Sequence, residues 1–433
     1  MSSTARWWPR LVKPPLRLAR RLAVRLVRYW VARPGVTRAS RPAEAPVKIT
    51  FLLSHVYGMG GTIRTVLNVA GHLESEYDVE ITTVVRRRER PFFPIPPGAT
   101  VRVLHDKRDI PGRSLIRNVL TRLPSLLVHE EDWVHGLCSL WTDLQVARML
   151  RALPPQILVT TRPGLNLLAA QLAPPWVTTV AQEHVSYQRH RPGIRRAVAR
   201  DYSRLDALAV LTHEDVRHYT AVLGDSGTHV VRITNALPSP VPPSAVPPEP
   251  AGREKVVAAA GRLVPEKRFD LLIAAFELVA VKHPDWRLRI YGSGAQRERL
   301  QQQITRAQLD SHVHLMGRSN RMVAEFAKAS VFALPSYVEG FGLVVIEAMS
   351  AGLPVVSFDA GGPAEIITHG HDGLLVPDSG EERTHAFAGA LLETIEHPDD
   401  RARMAAAAVE TASGFDIDAI GRRWDELFRM LTR

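Results

Sequence analysis

Short apolar, β-branched runs alternate with longer segments of helical period over most of this chain. The first run, 47–53, leads into the glycine loop Tyr57-Gly58-Met59-Gly60-Gly61-Thr62. Apolar positions at helical spacing follow: Ile63, Val66, Leu67, Val69 and Ala70. Strand, glycine loop and helix form the opening unit of an α/β domain. Further strands are expected at 79–85, 101–104, 157–161, 176–181, 207–212 and 230–233, with helices over about 140–152 and 192–205. The rhythm repeats beyond residue 254, with strands at 255–260, 286–291, 313–316, 331–334, 354–358 and 374–376 and helices at 269–281 and 295–308. Runs this short and apolar suit parallel sheets covered by helices on both faces.

At 433 residues the chain exceeds what one core usually organises, so two domains are expected. Seven prolines between 237 and 250 can form neither helix nor interior strand. This reading gives an N-terminal extension (1–46), a Rossmann-like domain (47–236), a proline-rich linker (237–253) and a second Rossmann-like domain (254–410). A terminal segment (411–433) closes the chain, its helix carrying Ile420, Trp424, Leu427, Phe428 and Leu431 on roughly one face and packing back on the first domain.

Charge changes the picture only at the N-terminus. Residues 1–48 hold twelve Lys or Arg against Glu44 alone, which accounts for the whole net charge of +11 and leaves the folded body neutral. A nucleic-acid enzyme more often carries its basic surface on the body, so no nucleic-acid partner is expected. In the tail Trp7, Trp8, Leu11, Leu16, Leu18, Leu22, Val24, Leu26, Val27, Tyr29, Trp30 and Val31 are interleaved with arginines. The apolar runs are too short to span a bilayer. The pattern reads as an interfacial helix on an anionic membrane surface through residues 1–33, with a disordered basic extension or an over-extended start as the alternatives. The single cysteine, Cys138, excludes an intrachain disulfide and suits a reducing cytosol. The seventeen histidines show no tight ligand spacing, so no metal is expected. The location that follows is cytoplasmic, on the inner face of the cell membrane.

Candidate chemistry concentrates in the second domain. Glu339 and Glu347 lie eight residues apart around Gly340-Phe341-Gly342, after a buried strand and at the start of an apolar helix. Ligands of open α/β sheets bind at the carboxyl ends of the strands. There the amides of Phe341, Gly342 and Leu343 can donate to a phosphate or a sugar hydroxyl. A carboxylate repels phosphate, so Glu347 suits a ribose diol and Glu339 a hexose. Arg262 and Lys267 share the loop after the first strand of this domain and suit a diphosphate. In the first domain, Gly60 and Gly61 open a helix, and His184 follows the strand 176–181. His184 is either a packed strand-end histidine or a hydroxyl contact; the neighbouring Glu183 is given no base role.

These motifs resemble glycosyltransferase family 4, a retaining family with the GT-B fold. The matching pieces are Gly58-Met59-Gly60-Gly61, Gly261-Arg262 through Lys267, Tyr291-Gly292-Ser293-Gly294, Glu339-Gly340-Phe341-Gly342-Leu343 through Glu347, Gly352-Leu353-Pro354-Val355-Val356 and Asp372-Gly373-Leu374-Leu375-Val376. The resemblance implies two Rossmann-like α/β domains facing a central cleft and a nucleotide diphosphate sugar, UDP- or GDP-linked, as donor substrate with no separate cofactor. By the same resemblance Arg262 and Lys267 hold the diphosphate, Glu347 the ribose, and Glu339 with the Phe341–Leu343 amides the donor sugar. The base lies near Gly317 and Arg318, Gly60 and Gly61 approach phosphate or acceptor, and His184 meets the donor sugar. The implied activity is hexosyl transfer to a lipid-linked or cell-envelope glycan; a sugar-nucleotide epimerase and a non-catalytic sugar-nucleotide binder use the same parts.

Overall fold

The computed structural model describes residues 13–33, 46–108, 114–238, 255–378, 380 and 382–432. The expected linker lies largely outside them, as do Trp7, Trp8 and Leu11 of the tail. The chain divides into two compact units. One comprises residues 1–210, 214–233 and 423–433; the other comprises 211–213 and 234–422.

The first unit is built on seven parallel strands: β1 (Lys48–Leu53), β2 (Asp78–Arg86), β3 (Thr100–Asp106), β4 (Ile157–Thr161), β5 (Thr178–Gln182), β6 (Ala207–Val210) and β7 (His229–Arg232). Their order is β3-β2-β1-β4-β5-β6-β7. β1 lies between β2 and β4, with Thr50 opposite both Glu80 and Leu158. Every residue of β4 and β6 is buried, as a sheet covered on both faces requires. The polar Thr50 is tolerated because Gln156 Nε2 donates to its hydroxyl at 3.0 Å.

The second unit repeats the plan with β8 (Val256–Ala260), β9 (Arg287–Tyr291), β10 (Val313–Gly317), β11 (Val331–Leu334), β12 (Val355–Phe358) and β13 (Gly373–Val376). Their order is β10-β9-β8-β11-β12-β13. In each sheet the order reverses beside its first strand, between β1 and β4 and between β8 and β11. The loops diverge there and leave a crevice at the carboxyl ends.

Two terminal segments join the first unit. The helix Lys13–Ala32 buries Val31 completely and packs Ala23, Val24 and Val27 against that unit's core. Part of the tail's apolar content therefore serves the fold, where the sequence suggested one lipid-facing set. Leu18, Leu22, Leu26 and Tyr29 remain exposed. At the other end, Trp424 and Phe428 are buried, Phe428 stands edge-on to Tyr77, and Arg429 pairs with Glu76 at 3.0 Å.

Candidate functional site

In the second unit the strand-end loops interlock. Gly292, at φ 145°, passes so close to Gly261 that a Cβ on it would sit 1.8 Å from the Gly261 carbonyl oxygen, and its amide donates to the Gly317 carbonyl at 2.6 Å. Only glycine permits that approach. The Lys267 stem lies over Gly261, about 3.4 Å from where a Cβ would be. From there the Lys267 ammonium pairs with Glu339 Oε1, which also accepts from Ser336 Oγ at 3.4 Å. Both ionic side chains are only about 15% exposed, at 15% and 14%. A partly desolvated pair of this kind is screened less than a surface one, and removing one partner leaves the other charge poorly solvated. Arg262 lies exposed on the same loop, and Arg318 Nε donates to Ser293 Oγ at 2.5 Å.

The acidic turn is shaped from behind. Gly342 takes a left-handed conformation (φ 92°) and starts the helix Leu343–Ser350. The Phe341 ring is buried edge-on against Phe415, which fixes the turn. The amides of Phe341, Gly342 and Leu343 meet no acceptor among the described residues. Three unspent donors and a helix N-terminus favour an anion or a hydroxyl oxygen. Glu347, one turn on, is buried at 5% exposure. Gly361 (φ 59°) and Gly362 back onto this turn, where a Cβ would stand 2.6 Å from the Glu339 carbonyl oxygen and 2.3 Å from Phe341 Cα.

Sequence reading passed over three features here. Arg268, in left-handed backbone (φ 46°), donates to Asp378 at 2.6 Å and lies over the Tyr337 ring, tying the Lys267 loop to the acidic one. The pair Gly361-Gly362 was the visible signal for the third, a close crossing behind the acidic turn.

In the first unit, His184 stands just beyond β5. Burial, with Arg162 adding to it, pushes its pKa down to about 3, so the ring is neutral; its Nε2 has no hydrogen-bond partner among the described residues. Arg162, beyond β4, adopts φ 74° and stacks over the Trp133 ring at 4.7 Å, and His55, beyond β1, lies 6.0 Å from that same ring. None of these three was singled out from sequence, and only the positive φ of Arg162 marks it as strained. Gly60 and Gly61 face open space, and Gly60 has an extended backbone (φ 176°), so packing alone does not require glycine there.

Glu183 is part of the core beneath His184. Its Oε1 accepts from Asn166 Nδ2 at 2.9 Å and from the Tyr202 hydroxyl. Burial pushes its pKa up to about 8, while burial pushes that of His190, whose Nε2 is 3.7 Å from Glu183 Oε2, down to about 4. At neutral pH the two are therefore a protonated acid beside a neutral imidazole, not an ion pair.

Comparison with known proteins bears on this geometry. The family model for glycosyl transferases group 1 matches residues 245–411. An exopolysaccharide phosphotransferase of Streptomyces coelicolor is 36% identical over 399 residues, covering 89% of this chain but only 41% of its own length. Among solved structures, TarM of S. aureus, crystallised with fondaparinux, α-GlcNAc-glycerol and UDP, superposes with a TM-score of 0.69 at 15% identity over 88% of this chain and 99% of its own. HepE of Anabaena in complex with UDP gives a TM-score of 0.66 at 20% identity over 88% and 100%. The chain therefore has the GT-B fold of glycosyltransferases, with the group 1 pattern in residues 245–411.

Proposed function

We propose that this chain is a retaining glycosyltransferase of family 4. It moves a hexose-type sugar from a nucleotide diphosphate sugar to a hydroxyl of a lipid-linked or cell-envelope glycan, working at the inner face of the cell membrane. The observation that carries this reading is the contact of Lys267 with Glu339 beside the three open amides of Phe341, Gly342 and Leu343. A cation, a carboxylate and a row of donors at one strand-end crevice suit a ligand that is both sugar and phosphate. The group 1 match over this unit and the UDP held by HepE and TarM support the donor class.

In this reading Arg262 and Lys267 take the diphosphate, and its arrival draws the Lys267 ammonium from Glu339. The freed carboxylate then accepts from hydroxyls of the donor sugar, Glu347 accepts from the ribose, and Gly317 and Arg318 border the base. As the bond from the anomeric carbon to phosphate breaks, negative charge grows on the diphosphate and the two cations meet it. The acceptor attacks from the face that the leaving group departs, and the leaving phosphate oxygen takes its proton, so the configuration is retained without a glycosyl-enzyme. His184, neutral, meets a sugar hydroxyl without adding charge, and Gly60 and Gly61 leave room for phosphate or acceptor. The α-GlcNAc-glycerol in the TarM complex supports a glycan or polyol acceptor.

The test is a screen of the purified protein against UDP- and GDP-sugars, scoring nucleotide release with and without a membrane lipid extract. Release from one donor, stimulated by the extract, is expected. Sugar-nucleotide interconversion without release, or no turnover of any donor, contradicts the assignment.

A further inference from the structure

A cavity of about 590 Å³ opens on the helical layer of the first unit, away from every residue given a role above. One wall is the helix Lys13–Ala32, which contributes Arg20, Arg21, Arg25 and Arg28; the opposite wall is the helix Pro192–Asp201 with Arg196 and Arg200. With Arg204 the lining holds seven arginines against three acids, Glu130, Glu131 and Asp201.

The acids are already engaged. Asp201 accepts from Gln171 Nε2 at 2.7 Å and from Arg200 Nη2 at 2.6 Å, and lies 3.7 Å from Arg204. Glu131 accepts from the Gly193 amide at 2.8 Å. Arg21, Arg25, Arg28 and Arg196 form no ion pair among the described residues. Arg20 is more telling, since its Nε and Nη2 are buried without any hydrogen-bond partner there. The residue as a whole is half-buried, but leaving two buried guanidinium nitrogens without a partner is costly, and an anion with several acceptor oxygens relieves that cost.

The surface beside the pocket indicates which anion. On the helix Lys13–Ala32, Leu18, Leu22 and Leu26 form an i, i+4, i+8 ridge that is 61%, 50% and 69% exposed, next to the ridge of Arg21, Arg25 and Arg28. The helix Leu115–Arg122 packs on the same neighbour, Leu140–Arg151, and exposes Leu115, Ile116 and Val119. A soluble phosphate would satisfy the arginines and leave these side chains in water. A phospholipid satisfies both, with its phosphate among the arginines and its chains over the leucines.

We propose that this cavity is a binding site for the phosphate headgroup of an anionic lipid, seated between the helices Lys13–Ala32 and Pro192–Asp201. The inference rests on the membrane-surface part of the function proposed above and adds a discrete site to it. Its critical residue, Arg196, lies outside the tail.

The experiment sediments the full-length protein with vesicles of phosphatidylcholine, alone or mixed with phosphatidylglycerol, and compares Arg196→Glu with Arg306→Glu, the same charge change at an exposed position of the second unit. Arg196→Gln serves as the milder variant, and thermal unfolding checks that each protein is folded. Binding to the mixed vesicles only is expected. It should weaken about tenfold or more in Arg196→Glu, by less in Arg196→Gln, and less than twofold in Arg306→Glu. Equal losses in Arg196→Glu and Arg306→Glu, or none in either, overturn the pocket while leaving membrane adsorption by the tail intact. Absence of binding by the unmodified protein, equal binding to neutral vesicles, or displacement by millimolar inorganic phosphate beyond that by chloride of equal ionic strength overturns the lipid assignment. Nucleotide release by the same protein preparation reports separately on glycosyl transfer.

Discussion

Replacing Glu183 with Gln should change how stability depends on pH while leaving the fold intact. The carboxyl is 2% exposed, and burial raises its pKa from 4.5 to about 8 against the opposing hydrogen bonds from Tyr202 and Asn166. Because the folded-state value is raised, the folded protein keeps the proton through a range in which the unfolded chain has released it. Stability from this group is therefore intact below about pH 4.5 and is lost as pH climbs toward the folded value. The slope approaches about 1.4 kcal/mol per pH unit, and the loss between pH 5 and pH 8 is about 3 kcal/mol. Glutamine reproduces the neutral acid: its carbonyl accepts from Asn166 Nδ2 and Tyr202, and its amide replaces the acidic O–H facing His190. The difference in unfolding free energy between the variant and the native protein cancels the titrating groups that Glu183 does not touch; of its neighbours, His190 titrates near 4, below the range used, and burial and Glu183 hold Tyr202 above it. At pH 5 the two should be within about 1 kcal/mol of one another, and by pH 8 the variant should be the more stable by about 3 kcal/mol. A difference that stays flat from pH 5 to 8 would falsify the buried, protonated state of Glu183.

Other expectations follow from the same geometry. Since His184 is held neutral with a pKa near 3, the pH profile of nucleotide release should lack an acid limb near 6.5; such a limb, removed by His184→Asn, would contradict this environment. Gly361→Ala forces a side chain against the Glu339 carbonyl from a left-handed backbone, so it should destabilise the protein by about 1–3 kcal/mol and weaken nucleotide-sugar binding; an unchanged melting temperature would count against the tight crossing. Trp424→Ala empties a fully buried site in the first unit and should cost about 3–5 kcal/mol in chemical denaturation, whereas a cost below 1 kcal/mol would mean that the terminal helix is only loosely attached.

Much of the architecture was legible because each strand is a short apolar run and each βα unit announces itself locally. The run at 79–85 became Asp78–Arg86, and that at 207–212 ended two residues earlier, at Val210, with the helix His213–Leu223 starting after it. The helix Leu115–Arg122 went unread because none of its residues is buried, so it has no core-facing stripe to detect. The N-terminal helix was harder for the opposite reason. Its packed ridge of Val24, Val27 and Val31 and its exposed ridge of Leu18, Leu22 and Leu26 are equally apolar, and only the neighbouring helices decide which one is covered.

The candidate site shows the same division. Motifs such as Gly340-Phe341-Gly342 lie within a few residues, and a loop-to-helix turn could be inferred from them directly. The contact of Lys267 with Glu339 joins positions 72 residues apart, and it depends on β8 and β11 being neighbours although two strands intervene in sequence. His55, Trp133 and Arg162 come from three separate connections of the first sheet. Their association is a product of strand order, which no local pattern in the chain encodes.

The central claim is that a nucleoside diphosphate is held in the second unit by the Lys267 loop. Calorimetric titration of UDP and GDP into the unmodified protein and into Lys267→Ala tests it most directly. Losing one charged hydrogen-bond donor to phosphate should weaken binding of the preferred nucleotide about tenfold to a hundredfold. Equal affinity in both proteins, or no binding of either nucleotide to the unmodified chain, would contradict the account.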